Sequence, residues 1–329
     1  MTSSAIAPRR RRRLLPAVAL LLALGGALLL AACGGGDDDK TQATATEAAA
    51  GGPTEIPKAT GEATVQVDES FWHAGWKVTL GEATFKPSAR PGGSDAGDVA
   101  IEATFENLSD STSSFNSELV LTAGGQDYAE STADQELPSV PGGRKGNGLI
   151  TFTVEGDFDF DDATLTIGNV SNNQATVPIG PRGDKLVSLE PKTFTLTGTA
   201  VAGPLTVTLE SAELRADLPD WGDEMEKGRL ALTVSFSVTI GTGIPIGEGV
   251  LQDGNVALQL PDGTSVAVRS DGRSGVNEIL QGKEGTTIPD LSVRFEVDEP
   301  AEGDYAFVVD GNYGPSREHV EGEAPFEIK

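Results

Sequence analysis

The segments WKVTLGEATF, residues 76–85, and LTVTLESAEL, residues 205–214, decide how this sequence folds. Each alternates apolar and polar residues. A period of two places one side of an extended chain against a core and the other in water. The two segments also match each other without a gap, with Val78, Thr79, Leu80 and Ala83 meeting Val207, Thr208, Leu209 and Ala212.

The match extends along both halves of the chain. TVQV at 64–67 meets TFTL at 193–196, and VAIEATF at 99–105 meets LALTVSF at 230–236. Further on, ITFTVE at 150–155 meets VRFEVD at 293–298, and DATLTI at 162–167 meets DYAFVV at 304–309. ATVPI at 175–179 closes the first copy as APFEI at 324–328 closes the second. The offset grows from 129 to 149 residues, as it does when one scaffold carries longer loops in its second copy. Gly, Pro, Asn and Asp clusters separate the alternating runs, and no long amphipathic helix interrupts them. The expected fold is all-β: two tandem immunoglobulin-like β-sandwiches of seven or eight strands each, over 62–183 and 188–329, joined near Pro181–Lys185. Neither copy has the paired cysteines of antibody domains.

Ahead of this body lie two segments of different character. Residues 1–32 contain no acid; Arg9 to Arg13 form a positive block, and Leu14 to Leu30 are mainly apolar. That order is a secretory signal. The apolar run is slightly short of the ~20 residues a spanning helix needs; a retained N-terminal anchor is the rival reading. Residues 33–61 carry Gly-Gly-Gly, Asp-Asp-Asp and a Thr/Ala/Glu/Pro mixture with no aromatic residue. Such a segment buries too little apolar area to order itself and reads as a flexible linker.

The only cysteine of the 329 residues, Cys33, sits between the two. Leu30-Ala31-Ala32-Cys33 resembles the lipobox of bacterial lipoproteins. The resemblance implies a diacylglyceryl group on the Cys33 sulfur and cleavage just before it. The expected site is therefore the extracytoplasmic face of the cell membrane, with the lipid on Cys33 as the membrane contact. Loss of residues 1–32, with five arginines and no acid, would move the formal charge of −26 to −31. So acidic a surface repels polyanions, which excludes nucleic acid as a partner. With Cys33 lipidated, no thiol is left for a disulfide or a thiolate metal site.

Lipobox, spacer, then FWHAGWKVTLGEATF and VAIEATFENLSD together resemble a group of bacterial, mostly actinobacterial, lipoproteins. Their extracellular immunoglobulin-like domains are similar to secreted immunoprotective antigens of mycobacteria. The resemblance covers mainly 63–180 and implies an envelope-exposed sandwich with no catalytic residues.

Residues with chemistry are few. A hydrolase triad needs a histidine oriented by a carboxylate beside a nucleophile. Of the two histidines, His73 lies among Phe71, Trp72 and Trp76, and reads as structural; His319 lies in an acidic tail. Neither is assigned a catalytic role. Two histidines and two methionines are too few for a zinc or copper carrier, and no cofactor is expected. EGDFDFDD at 155–162 places Asp157, Asp159 and Asp161 on one face if the segment is extended, with Phe158 and Phe160 opposite. Oxygen ligands suit calcium, but the glycine and glutamate of a calcium loop are missing; a solvated face over two core phenylalanines is the simpler reading. The loop after Leu214, RADLPDWGDEMEKG, is acidic around Trp221, whereas the matching loop after Phe85, KPSARPGGSDAGD, holds two basic residues. Loops at sandwich ends are common recognition sites. Trp221 is thus a candidate contact for a protein or sugar, or else a lid over the sandwich end. Trp72 and Trp76 align with apolar positions of the second copy and are expected in the core.

These features point to a non-catalytic envelope protein that presents two sandwiches to an unknown protein or envelope polymer. The alternative is an accessory or solute-binding subunit of an envelope transporter, with its ligand cleft between the sandwiches. An enzyme acting through paired carboxylates has little support, because 50 acids make some pair inevitable.

Overall fold

In the computed structural model the described residues are 61–89, 95–131, 135–244, 249–270, 275–313 and 319–329. The signal segment, Cys33 and nearly all of the linker lie outside them. The described residues all fall within one compact unit.

The first half contributes nine principal strands. They are β1 (Ala63–Gln66), β2 (Ser70–His73), β3 (Trp76–Ala89), β4 (Asp95–Asn107) and β5 (Leu119–Ala123). β6 (Gln126–Ala129), β7 (Lys145–Glu155), β8 (Thr164–Ile167) and β9 (Ala175–Pro178) follow. One sheet has the order β1-β3-β4-β7, with β2 also on β3; the other has β9-β8-β5-β6.

The second half repeats this strand for strand. β10 (Lys192–Thr195), β11 (Thr199–Ala202), β12 (Leu205–Arg215), β13 (Arg229–Ile240) and β14 (Val256–Gln259) come first. β15 (Ser265–Ala267), β16 (Thr287–Asp298), β17 (Gly303–Gly311) and β18 (Val320–Ile328) complete it. The sheets run β10-β12-β13-β16, with β11 on β12, and β18-β17-β14-β15. Adding nine to each label of the first half reproduces the second. The pairings are antiparallel throughout these sheets. The all-β expectation holds, with more strands per copy than alternation alone marked out. The extra ones are four-residue or shorter pieces such as β2, too short to show a period. One 3-10 turn, Asp253–Asn255, is the only helical element among the described residues.

Each half has its own apolar core between its two sheets. The residues paired by the repeat point inward in both. Val99, Ile101, Ala103 and Phe105 are buried, as are Leu230, Leu232, Val234 and Phe236. Ala163, Leu165 and Ile167 have buried counterparts in Tyr305, Phe307 and Val309. Even the irregularity is shared. The ladder between β3 and β4 slips between Leu80 and Ala83, and that between β12 and β13 slips between Leu209 and Ser211. A bulge at the same place lets both copies switch which residues face inward without reversing the whole strand.

The chain remains bonded to the first half well past Pro181. Arg182 N–H donates to Asp161 O, Asp184 N–H to Thr164 Oγ1, and Val187 and Thr176 exchange both backbone bonds. Trp72 N–H then donates to Ser188 Oγ at 2.8 Å. The crossing into the second half therefore occurs over residues 189–191, just before β10.

In the second core, the Phe307 ring centroid lies 5.0 Å from that of Phe236 and 6.2 Å from that of Phe295. Phe307→Ala should destabilise this half by about 3–5 kcal/mol, because the cavity cannot close around two fixed rings. Urea unfolding followed by far-ultraviolet dichroism will measure it; a loss below ~1 kcal/mol would contradict this packing.

Candidate functional site

The structurally distinctive polar site lies where the two halves meet. β2 and β3 are joined by the two-residue turn Ala74-Gly75. Both residues have positive φ, 49° and 84°, the pattern of a type I′ hairpin turn. Successive N–H groups in such a turn form a small concavity that attracts anions. Here both N–H groups are taken by carboxylates of the second half. Ala74 N–H donates to Glu224 Oε2 at 2.7 Å, and Gly75 N–H donates to Asp217 Oδ2 at 2.6 Å. Glycine is required at position 75 by space as well as by φ: a Cβ there would lie 2.7 Å from Pro219 Cα.

Arg215 holds the Asp217 acceptor in place. Its Nε donates to Oδ1 at 2.7 Å and its Nη2 to Oδ2 at 3.2 Å, while Nη1 reaches Glu213 Oε1 at 3.0 Å. The two-pronged contact fixes the plane of a carboxylate that is itself buried. Its charge is compensated by a guanidinium from its own half, so Asp217 meets the hairpin tip already neutralised.

Glu224 is different. Its side chain is 6% exposed and it sits beside His73, which is 4% exposed; Nδ1 to Oε2 is 3.3 Å. The distance would fit an ion pair, but the surroundings do not favour two charges. Burial pushes Glu224 up to about 9, helped by the charge of Asp217 and opposed by the Ala74 N–H and by Arg215. Burial likewise pushes His73 down to about 4, opposed by Asp217. Burial, which disfavours the charged form of each group, is the main cause of both shifts. The Nδ1 of His73 is buried, and its nearest polar contact is Glu224 Oε2. Gly168 closes the far side of the ring, where a Cβ would lie 2.4 Å from His73 Cε1.

Asparagines of the first half complete the seam. Asn173 Nδ2 donates to Arg229 O, and Asn173 Oδ1 accepts from Gly228 N–H, both at 2.8 Å; Asn173 N–H donates to Met225 O. Asn172 Nδ2 donates to Glu224 O at 2.8 Å. Ser171 O accepts from Lys227 N–H. Behind these contacts Leu218, Met225 and Ala231 form a small apolar cluster. The loop 215–228, read from sequence as a recognition loop, thus turns Asp217, Asp220 and Glu224 onto the first half. Nothing in its acidic composition distinguished the carboxylates that do this.

Trp221 lies at the outer edge of the same loop and is 45% exposed. It lines an open groove of about 340 Å³ between the loop and residues 109–117 of the first half. Of the other aromatic residues, Trp76 is in the core, edge-on to Phe105 and Phe115. Trp72 is not. Alternation in β2 sends Phe71 and His73 inward and Trp72 outward, where Lys77 Nζ lies 4.7 Å from its ring. His319 is exposed, 3.2 Å from Asp310.

The three aspartates of 155–162 do not share a face. Residues 156–162 form turns rather than a strand. Phe158 and Phe160 do enter the core, but Asp161 is buried with them and pairs with Arg182. Asp159 Oδ1 accepts from Asp161 N–H, whereas Asp157 is exposed. The extended geometry that would have aligned Asp157, Asp159 and Asp161 for calcium is absent, because the two rings are buried by turning the chain. Among the described residues, no three acidic, histidine or cysteine side chains are placed to hold a metal.

No protein-family model matches the chain, and no curated protein matches it. A solved structure, the conserved domain protein from Bacillus anthracis, aligns with 81% of this chain and 92% of its own at 12% identity, with a TM-score of 0.27. A superposition that loose bears on neither fold nor function.

Two results follow from the seam. Asp217→Ala strips Arg215 and the Gly75 N–H of a buried partner, and should destabilise the protein by about 3–5 kcal/mol in urea melts; a loss under ~1 kcal/mol would sink the assignment. Glu224 has its ordinary value of 4.5 when unfolded and about 9 when folded. The folded state therefore holds an extra proton between those limits, and stability falls as pH rises through them. His73, lowered from 6.5 to about 4, has the opposite slope below pH 6.5 and cancels most of the trend there. Melting temperature should thus fall from about pH 6.5 to 9, and Glu224→Gln, which keeps the acceptor without the titration, should abolish that fall.

Proposed function

We propose that this chain is a non-catalytic lipoprotein of a bacterial cell envelope. Cys33 carries the lipid at the extracytoplasmic face of the membrane, and the linker lifts two immunoglobulin-like sandwiches towards a protein or polymer partner. The observation that carries this reading is Leu30-Ala31-Ala32-Cys33, which holds the single thiol of the chain between an arginine-led apolar run and a Gly/Asp-rich spacer. Acyl chains contribute about 0.8 kcal/mol per buried CH2, so two or three of them hold a protein firmly on a bilayer. Among the described residues no helix is long and apolar enough to cross a membrane.

The seam supports presentation over the transport-subunit alternative. A deep solute-binding cleft at the centre of the seam would have to open where the hairpin tip meets Asp217 and Glu224. That position is filled by backbone and carboxylate in contact. What remains open is at the surface, a geometry suited to a partner lying across both halves.

Growth of the native host with an alkynyl fatty acid should label the wild-type protein and leave Cys33→Ala unlabelled. Label retained on Cys33→Ala, or an unlabelled wild type in the cytosolic fraction, would refute the anchor.

A further inference from the structure

The groove beside Trp221 has a chemistry of its own. One wall is the turn Pro219–Gly222 of the second half; the other is the segment LSDSTSSFNSE, residues 108–118, of the first. Trp76 lies at its floor, edge-on to Phe115 in the core behind it. The wall from the first half carries Ser111, Ser113, Ser114, Asn116 and Ser117. Among the described residues none of these five side chains makes a hydrogen bond to protein. Ser109, next to them, is by contrast fully used, bonded to Asn107 Oδ1 and Ser111 O. The groove therefore offers a row of uncommitted hydroxyl and amide groups opposite a partly exposed indole.

We propose that this groove binds a neutral saccharide chain, an inference that rests on the presentation reading above and names the polymer partner it leaves open. Sugar rings need both of the things found here. Their hydroxyls each donate and accept, and serine hydroxyls and an asparagine amide can answer in either sense. Their C–H faces are apolar and pack on an aromatic ring, and indole has the largest such face. The charge disfavours the anionic alternative, since a chain of net charge −26, or −31 without residues 1–32, repels sulfated or uronic polymers. The acid in the lining, Asp220, accepts from Asp110 N–H across the seam, so it braces the two walls. The groove is open to the surface and not a closed cavity, which fits an internal stretch of a chain passing across it. Because one wall belongs to each half, the seam at Ala74-Gly75 sets its width.

The test uses the purified full-length chain in detergent and titration calorimetry. The probes are hexasaccharides of glucose, galactose and mannose, with a sulfated hexasaccharide as the charged control. At least one neutral probe should bind, and Trp221→Ala should weaken it tenfold or more while thermal unfolding is unchanged. Should Trp221→Ala fail to fold, the double variant Ser113→Ala, Ser117→Ala serves in its place, with at least threefold weakening expected. Absence of binding by every neutral probe, unchanged affinity in the variants, or preference for the sulfated control would each overturn the proposal. Binding in detergent does not depend on where the protein resides. Saccharide binding without fatty-acid label would leave this site standing and remove the anchor; label without binding would do the reverse.

Discussion

Two backbone N–H groups at one hairpin tip, each received by a carboxylate from the other half of the chain, are the centre of the polar seam that joins the halves. Each half has a complete core of its own, so neither needs the other to bury apolar surface. What joins them is polar and small. Buried polar contacts of this kind add specificity of orientation because their geometry has little tolerance: a donor at 2.6 Å from its acceptor at Gly75 leaves no room for sliding. The two acids solve the problem of burial in different ways. Asp217 is paired with Arg215 through two hydrogen bonds; Glu224 has no guanidinium against it, and burial pushes it up to about 9.

The duplication explains where this seam came from in structural terms. The copies share strand order, core positions and a bulge. They diverge most in the loop after the third strand, which balances two basic and two acidic residues in the first copy and is acidic from Asp217 to Glu226 in the second. The diverged acidic loop is the one that grips the first copy. Tandem modules with identical loops would have no reason to prefer one mutual arrangement. An acidic loop on one and an open hairpin nest on the other supply a direction.

Much of the fold was legible from residues alone, and the reason is periodicity. The alternation of VAIEATF and LALTVSF, and the match between them, report burial directly, since every inward position is apolar. Short strands such as β2 escaped because four residues cannot establish a period, and Trp72 was misplaced by the same shortness. EGDFDFDD misled because its alternation is real but is made in turns, where Asp161 follows the phenylalanines inward and needs Arg182. The seam was not legible at all. Asp217 and Glu224 are two acids among 50, and His73 and Asn173 look like ordinary polar residues. Their roles depend on partners 142 to 150 residues away or, for Asn173, some 55 away. No local pattern encodes that distance. The positive φ at Ala74-Gly75 was the nearest signal, and it announces a turn without saying what the turn receives.

Backbone amide hydrogen exchange of the intact protein tests the seam most directly. The tip of a two-residue hairpin is normally open to water, and its amides exchange almost as fast as those of an unfolded chain. With Glu224 and Asp217 in place, the Ala74 and Gly75 amides should instead exchange as slowly as the neighbouring amides of β3. Exchange of those two amides at the rate of an open turn, with β3 still protected, would contradict the account.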